Sequence, residues 1–218
     1  MLGKTEMSFK RGNYTFINGD CMEYMKKMKD KEYDLALVDP PYGINMDGGN
    51  VGYKGFNNFI KKEWDKKIPD KKYFSELCRV SDNQIIFGWN YFGLPPTRCF
   101  VIWDKGEGFK NRTYAECESA WTSFDQNAKI FKYDPLANGD YRGKINPCQK
   151  PIALYKWLLS KYAKEGDKIL DTHGGSCSSV IAAIDMGFDI TCFELDSDYY
   201  NTANKRIQDF LSQQVMDL

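Results

Sequence analysis

Short β-like runs alternate with amphipathic helical stretches along almost the whole chain, which is the pattern of a largely parallel sheet with helices on its faces. Parallel neighbours need crossover connections long enough to hold a helix, so a chain alternating in this way is confined to the α/β class. Tyr14-Thr15-Phe16-Ile17 reads as a strand ending at Asn18-Gly19-Asp20. Met22, Met25 and Met28 then recur every three residues, as on the buried face of a helix, where methionine serves as core filler. Tyr33-Asp34-Leu35-Ala36-Leu37-Val38 reads as a buried strand that runs directly into Asp39-Pro40-Pro41-Tyr42-Gly43. Residues 44–63 are rich in Gly and Asn without periodicity, and a connection of that length inside a compact domain serves as a lid or binding loop. A helix over about 70–80 and strands at 84–87, 99–103, 118–124 and 129–133 follow. A helix opens at Lys150-Pro151, strands are expected at 168–170 and 190–193, and a last helix starts near Ser197.

At 218 residues the chain fits one domain spanning 1–218, without a linker or repeat that would mark a separate target-recognition domain. An apolar fraction of 42% supplies a core that needs no disulfide or metal staple. Lys+Arg and Asp+Glu both number 30, so nucleic-acid binding would depend on local clusters such as Lys61-Lys62, Lys66-Lys67 and Lys71-Lys72. Each pair taken alone reads equally well as a solvated face. The seven Cys stand singly with no CxxC pair, which gives a zinc or redox-dithiol site little support. With no apolar leader in Met1–Lys10 and no apolar run near 20 residues, the expectation is a cytoplasmic protein with reduced thiols, no metal and no membrane segment.

Two segments carry chemistry. In the turn Asp171-Thr172-His173-Gly174-Gly175-Ser176, glycines let backbone N–H groups approach a ligand closely. Glu194 ends the next strand 23 residues after Asp171, near the interval at which an acidic residue reaches a ribose diol. The turn lacks GxGxxG, and a carboxylate there is unfavourable beside a pyrophosphate, which speaks against a nicotinamide dehydrogenase. Asp171 suits a cation instead, such as the ammonium of a methionine moiety. An ordinary strand–helix turn with an exposed Glu would look the same, so this half alone leaves the question open.

The second segment is Asp39-Pro40-Pro41-Tyr42, at the carboxyl end of a buried strand, where open α/β sheets bind ligands. Two consecutive prolines restrict the backbone, so the Asp39 carboxylate and the Pro40 carbonyl are held rigid. An exocyclic amine on a base is a poor nucleophile because its lone pair is delocalised into the ring. Two acceptors gripping its N–H groups favour a pyramidal nitrogen and aim the lone pair at an electrophilic methyl group. Tyr42 can stack on an extruded base. Asp, Pro and Gly favour turns in any case, so the tetrapeptide by itself is also readable as a plain turn.

Taken in order, these segments resemble the β-type amino-methyltransferases of DNA, in which the catalytic segment precedes the cofactor segment. Asn18-Gly19-Asp20-Cys21, Asp39-Pro40-Pro41-Tyr42-Gly43, Trp103-Asp104-Lys105, Asn146-Pro147-Cys148-Gln149-Lys150-Pro151 and Ile169-Leu170-Asp171 through Asp196 carry the resemblance. It implies a Rossmann-like methyltransferase fold, with a mostly parallel doubly wound sheet and circularly permuted motif order. It also implies S-adenosylmethionine as cofactor, with Asp20 and Cys21 at its adenine and Glu194 at its ribose. Lys150, Asp171, Gly174, Gly175 and Ser176 would surround the methionine portion, and His173 would stand in for an aromatic packing partner. Asp39, Pro40, Pro41 and Tyr42 would form the catalytic loop. Asp at the head of that motif resembles adenine-N6 enzymes more than cytosine-N4 ones, which remain open together with RNA as substrate and a non-catalytic partner role.

The chain departs from the family pattern in Thr172-His173 and Ser176-Cys177-Ser178, and in having only about fifteen residues where a target-recognition region is expected. Contacts to double-stranded DNA are therefore sought at Asn45, Lys54, Asn57 and Lys61, at Lys105 and Arg112, or from a second subunit in a homodimer. Pro147-Cys148-Gln149 matches the nucleophile motif of cytosine-C5 enzymes, but it precedes a helix rather than following a strand, and Cys148 is read as structural.

Overall fold

The computed structural model describes residues 12–48 and 59–216, with side chains described to residue 213. Eight strands form one sheet: β1 (Tyr14–Asn18), β2 (Tyr33–Val38), β3 (Ser81–Phe87), β4 (Phe100–Asp104), β5 (Cys117–Thr122), β6 (Lys129–Lys132), β7 (Lys168–Asp171) and β8 (Asp189–Glu194). Their order across the sheet is β1-β8-β7-β2-β3-β5-β4-β6. Only β5 runs antiparallel to its neighbours β3 and β4, and the other pairings are parallel. Five helices accompany it: α1 (Cys21–Met25), α2 (Lys71–Val80), α3 (Ile152–Tyr162), α4 (Ser178–Asp185) and α5 (Ser197–Met216).

Strand sequence explains strand position. The β2 run is almost wholly buried because helices cover both faces of the sheet there. Leu35 and Leu37 face the core packed by α3, α4 and α5, while Ala36 and Val38 face the one packed by α1 and α2. At the sheet's edge, β6 is Lys-Ile-Phe-Lys, whose burial alternates and whose two terminal lysines blunt the open edge. α2 starts where the Asp70 carboxylate accepts from the Tyr73 N–H at 3.0 Å. It passes without a loop into β3, and the Lys31 ammonium donates to the Cys78 and Ser81 carbonyls at its carboxyl end.

One helix differs from the sequence reading. The Met22, Met25 and Met28 spacing suggests a helix through all three, but α1 stops at Met25. Met25 is fully buried, whereas Met22 and Met28 pack partly buried against the same core. The remaining elements fall where the alternation puts them, and the permuted order holds: β2 precedes β7 in sequence and lies beside it in the sheet. The chain leaves β2 towards β3 on one side and leaves β7 towards β8 on the other. The β2/β7 boundary is thus the topological switch point, where such sheets open a crevice for ligands.

Candidate active site

Because β1, β8, β7 and β2 are consecutive and parallel, their carboxyl ends lie side by side. Each leads into an acidic residue: Asp20 after β1, Glu194 ending β8, Asp171 ending β7 and Asp39 after β2. Asp20, Asp39 and Glu194 line one cleft of about 1140 Å³, and Asp171 lies buried immediately before the turn 172–176 that lines it. That exceeds the roughly 300–1,000 Å³ of an ordinary small-ligand pocket and leaves room for a nucleotide-sized cofactor plus a second group.

The β7 and β8 ends shape one side. Gly174 donates its N–H to the Phe193 carbonyl at 2.7 Å, and a Cβ there would lie 2.7 Å from Cys192 Sγ, so only glycine lets the turn lie flat on β8. Glu194 accepts from the Gly175 and Asp196 N–H groups at 2.7 and 2.8 Å. Burial nevertheless raises its carboxyl pKa. Asp171 is buried, accepting from Ser179 Oγ at 2.5 Å and from the His173 N–H at 3.0 Å. Burial pushes its carboxyl up to about 6, and the charges of Asp39 and Glu194 add to that. His173 packs edge-on to Tyr73, shares a 2.9 Å hydrogen bond with Thr172 Oγ1, and is held neutral by burial, its pKa down to about 4. Asp20 caps α1 by accepting from the Met22 N–H at 2.8 Å. Burial raises the neighbouring Cys21 thiol to about 12.

On the β2 side, Pro40 is buried, and the Asp39 carboxylate keeps a side-chain exposure of 17% toward the cleft. The Tyr42 hydroxyl donates to Asp39 Oδ1 at 2.6 Å, and the Lys150 ammonium donates to Oδ2. Burial raises the Asp39 pKa against the opposing pull of Lys150. The Tyr42 ring stacks on Tyr91 with centroids 5.2 Å apart. Its edge presses on Gly88, where a Cβ would sit 2.1 Å from the ring, so a glycine at φ +70° makes space for it. Asp65, which the sequence reading did not single out, is buried and accepts from the Gly43 and Met46 N–H groups at 2.8 and 2.7 Å. It thereby fixes the backbone that follows the two prolines.

Three of the basic residues named from the sequence are engaged in ion pairs. The Lys150 ammonium, expected at the methionine portion of a cofactor, is bound to Asp39 and lies 3.0 Å from Glu118. Lys105, expected on a nucleic-acid surface, is buried and pairs with Glu118 at 2.7 Å over the Trp103 and Phe109 rings. Lys61 pairs with the fully buried Asp47 and donates to the Asn45 carbonyl at 3.0 Å, so its charge is already compensated. Asn45 is exposed, Arg112 stands exposed on the rim of the cleft, and Lys54 and Asn57 fall outside the described residues. Glu118, absent from the sequence reading, lies at the centre of this group. Burial would raise its pKa, but Lys150 and Lys105 hold it at about 2. Its one sequence signal was a carboxylate two residues before the buried Ala120-Trp121 of its strand, where burial of the charge demands a partner.

The sheet order and the cleft at its switch point are those of the Rossmann-like methyltransferase fold. Residues 100–205 match a protein family described as DNA methylase. The type II methyltransferase M2.MboI of Moraxella bovis is 21% identical, covering 89% of this chain and 87% of its own. M2.DpnII of Streptococcus pneumoniae is 22% identical over 94% and 93%. Among solved structures, the M1.HpyAVI complex with S-adenosylmethionine superposes with a TM-score of 0.60 at 18% identity, covering 88% of this chain and 99% of that one. The cytosine-N4-specific PvuII DNA methyltransferase gives 0.56 at 13%, over 94% and 93%. The chain is thus similar to DNA amino-methyltransferases over most of its length.

S-adenosylmethionine is the cofactor of that family, and the residues present fit it. Asp171 is a buried carboxylate whose hydrogen bonds come only from neutral donors, and no cationic side chain pairs with it among the described residues. A ligand ammonium would supply the missing charge. Among the described residues no cluster of His, Cys, Asp and Glu could hold a metal, and no helix is long and apolar enough to cross a membrane.

Proposed function

We propose that this chain methylates the exocyclic N6 of adenine in double-stranded DNA. The observation that carries the reading is the placement of Asp39, at the head of its di-proline, in the same cleft as Glu194 and the turn 172–176 that follows the unpaired Asp171. When bound, S-adenosylmethionine supplies an electrophilic methyl group. Asp20 and Cys21 would hold its adenine, Glu194 its ribose hydroxyls, and Asp171 with the Gly174-Gly175-Ser176 turn its amino-acid end. Asp39 and the Pro40 carbonyl then accept the two hydrogens of the target amine, so that the nitrogen lone pair leaves the ring plane and points toward the cofactor side of the cleft. The aromatic wall of Tyr42 and Tyr91 offers an extruded base a stacking surface in place of the duplex.

Segment 134–149 stands where a target-recognition region was expected. It winds around Asp134, which accepts from the Gly108, Leu136 and Ala137 N–H groups at 2.8–3.1 Å. It does send Tyr141 and Lys144 to the cleft, with the ammonium 3.9 Å from the Tyr141 ring centroid and burial lowering its pKa to about 8. A short recognition sequence in a bacterial cytoplasm fits that economy, as does the bacterial origin of the relatives.

Mass spectrometry of nucleosides from DNA and RNA treated with protein and cofactor tests the proposal. N6-methyl-2′-deoxyadenosine in the DNA digest supports it. N4-methylcytosine or a modified ribonucleoside replaces the assigned substrate, and no modified nucleoside in any digest leaves only a non-catalytic partner role.

Transfer to an exocyclic amine needs no covalent intermediate, and Cys148 is placed accordingly. Its Sγ donates to the Met46 carbonyl at 3.2 Å, and burial pushes the thiol up to about 12, far from the thiolate a nucleophile requires. Cys148→Ala is expected to retain at least half the wild-type methylation rate in a radiolabelled methyl-transfer assay. Loss of activity in a folded variant would restore the thiol to the chemistry.

A further inference from the structure

The cleft contains a chain of alternating charges that gripping an amine does not by itself require. Asp39, Lys150, Glu118 and Lys105 follow one another at ion-pair distance, summing to zero charge. Both Asp39 oxygens already have donors: Tyr42 on Oδ1 and Lys150 on Oδ2. An incoming amino hydrogen therefore competes with these two donors for the carboxylate. Tyr42 is confined by Gly88 and Tyr91, whereas Lys150 has four rotatable methylenes and a second carboxylate within reach. That carboxylate oxygen, Glu118 Oε2, lies 3.0 Å from the ammonium yet receives no aligned hydrogen bond and is shielded from solvent. Its contact with the ammonium is an ion pair whose hydrogen-bond geometry improves as the ammonium turns toward it. Lys105 pins the other oxygen, Oε1, at 2.7 Å and holds the acceptor in place.

We infer that Glu118 is a positioning residue for methyl transfer, serving as the second seat of the Lys150 ammonium, which moves from Asp39 Oδ2 to Glu118 Oε2 when the target amine arrives. The inference rests on the amino-methyl transfer proposed above. The exchange moves no proton and leaves the total charge unchanged. The incoming N–H replaces the departing ammonium on Asp39, and Glu118 gains the hydrogen bond it lacks. The rings of Phe87 and Tyr42, with centroids 4.7 and 5.7 Å from Lys150 Nζ, line the space in which the ammonium moves.

Asp39 reports the state of this chain. It faces Lys150, Tyr42 and Glu118, and its charge is also felt by Asp171, Cys148, Tyr73 and Tyr155. Removing the Glu118 charge takes away an influence that raises the Asp39 pKa and gives Lys150 to Asp39 alone, so the Asp39 midpoint falls and Oδ2 keeps its competing donor. Removing Lys105 strengthens the pull of Glu118 on Lys150, so the Asp39 midpoint rises.

The test uses the full chain with Glu118→Gln, Glu118→Asp and Lys105→Met. Carboxyl ¹³C titration of the free protein reads the Asp39 midpoint, and single-turnover methylation of duplex DNA reads the rate. Glu118→Gln is expected to lower the rate roughly 10- to 100-fold with cofactor and DNA affinities within threefold, and to lower the midpoint. Glu118→Asp restores most of the rate, and Lys105→Met shifts the midpoint upward. A folded Glu118→Gln with wild-type rate and midpoint overturns the inference, as does a rate loss matched by lost cofactor affinity. Should Glu118→Gln fail to fold, an unchanged or lowered midpoint in Lys105→Met overturns it. If the wild-type protein methylates no DNA, the parent proposal fails in its own right, and the two opposite midpoint shifts still decide whether Glu118 seats Lys150.

Discussion

Asp39→Ala is expected to lower the single-turnover methylation rate by roughly 10²- to 10³-fold, the scale for removing one preorganised group that acts on charge developing in the transition state. Cofactor affinity should stay within a few-fold, because Asp20, Glu194 and Asp171 hang from β1, β8 and β7 rather than from the Asp39 loop. The fold should also survive. Stranding a buried cation normally costs about 3–5 kcal/mol, but here Glu118 remains 3.0 Å from the Lys150 ammonium to share the charge. Single-turnover rates, calorimetry with S-adenosylmethionine and a thermal melt separate the three effects. Retained turnover in a folded Asp39→Ala protein would remove the amine-gripping role altogether. Asp39→Asn refines the reading: its amide keeps one acceptor but loses the charge that draws Lys150, so a rate between those of alanine and wild type is expected.

The parts of this arrangement visible in the sequence are those set by local pattern and topology. β2 was legible because a strand buried on both faces must be apolar throughout, and Asp39 was legible because two prolines follow it at that strand's end. The meeting of Asp39 with Asp171, 132 residues later, follows from sheet order alone once both segments are read as strand ends at a switch point. The charge partners were not legible, because ion pairs obey no spacing rule. Lys150 finds its carboxylate 111 residues upstream, and Lys61 finds its own, Asp47, in a loop where nothing marks it as buried. Lysines at 61 and 105 therefore looked like surface charges suited to phosphate, whereas the fold spends both on internal carboxylates. The methionine spacing misled for a related reason: a repeat of three fits a helical face, but it does not say how many turns the tertiary structure retains.

Asp171→Asn is expected to weaken S-adenosylmethionine binding while making the free protein more stable. A charge-assisted contact to an ammonium contributes about 2–3 kcal/mol, so affinity should fall roughly 30- to 150-fold by calorimetry at pH 7.5. The wild-type protein should also bind more weakly as pH falls below about 6, where Asp171 takes up a proton, and that component should vanish in the variant. Stability follows the opposite sign. The folded pKa of about 6 lies above the unfolded value near 3.9, so the native state binds this proton more tightly, and its stability declines as pH rises through that window. By pH 7 the unpaired charge costs about 3 kcal/mol, a shift of about two units at roughly 1.4 kcal/mol each. An asparagine removes that cost and keeps the local bonds: its oxygen accepts from the His173 N–H, and its amide donates to Ser179 Oγ, which can accept as readily as donate. The cofactor-free variant should therefore melt several degrees higher than wild type at pH 7.5, with the gain shrinking below pH 6. A lower melting temperature at neutral pH would mean that Asp171 serves the fold rather than a cation, and the case for the ammonium seat would go with it.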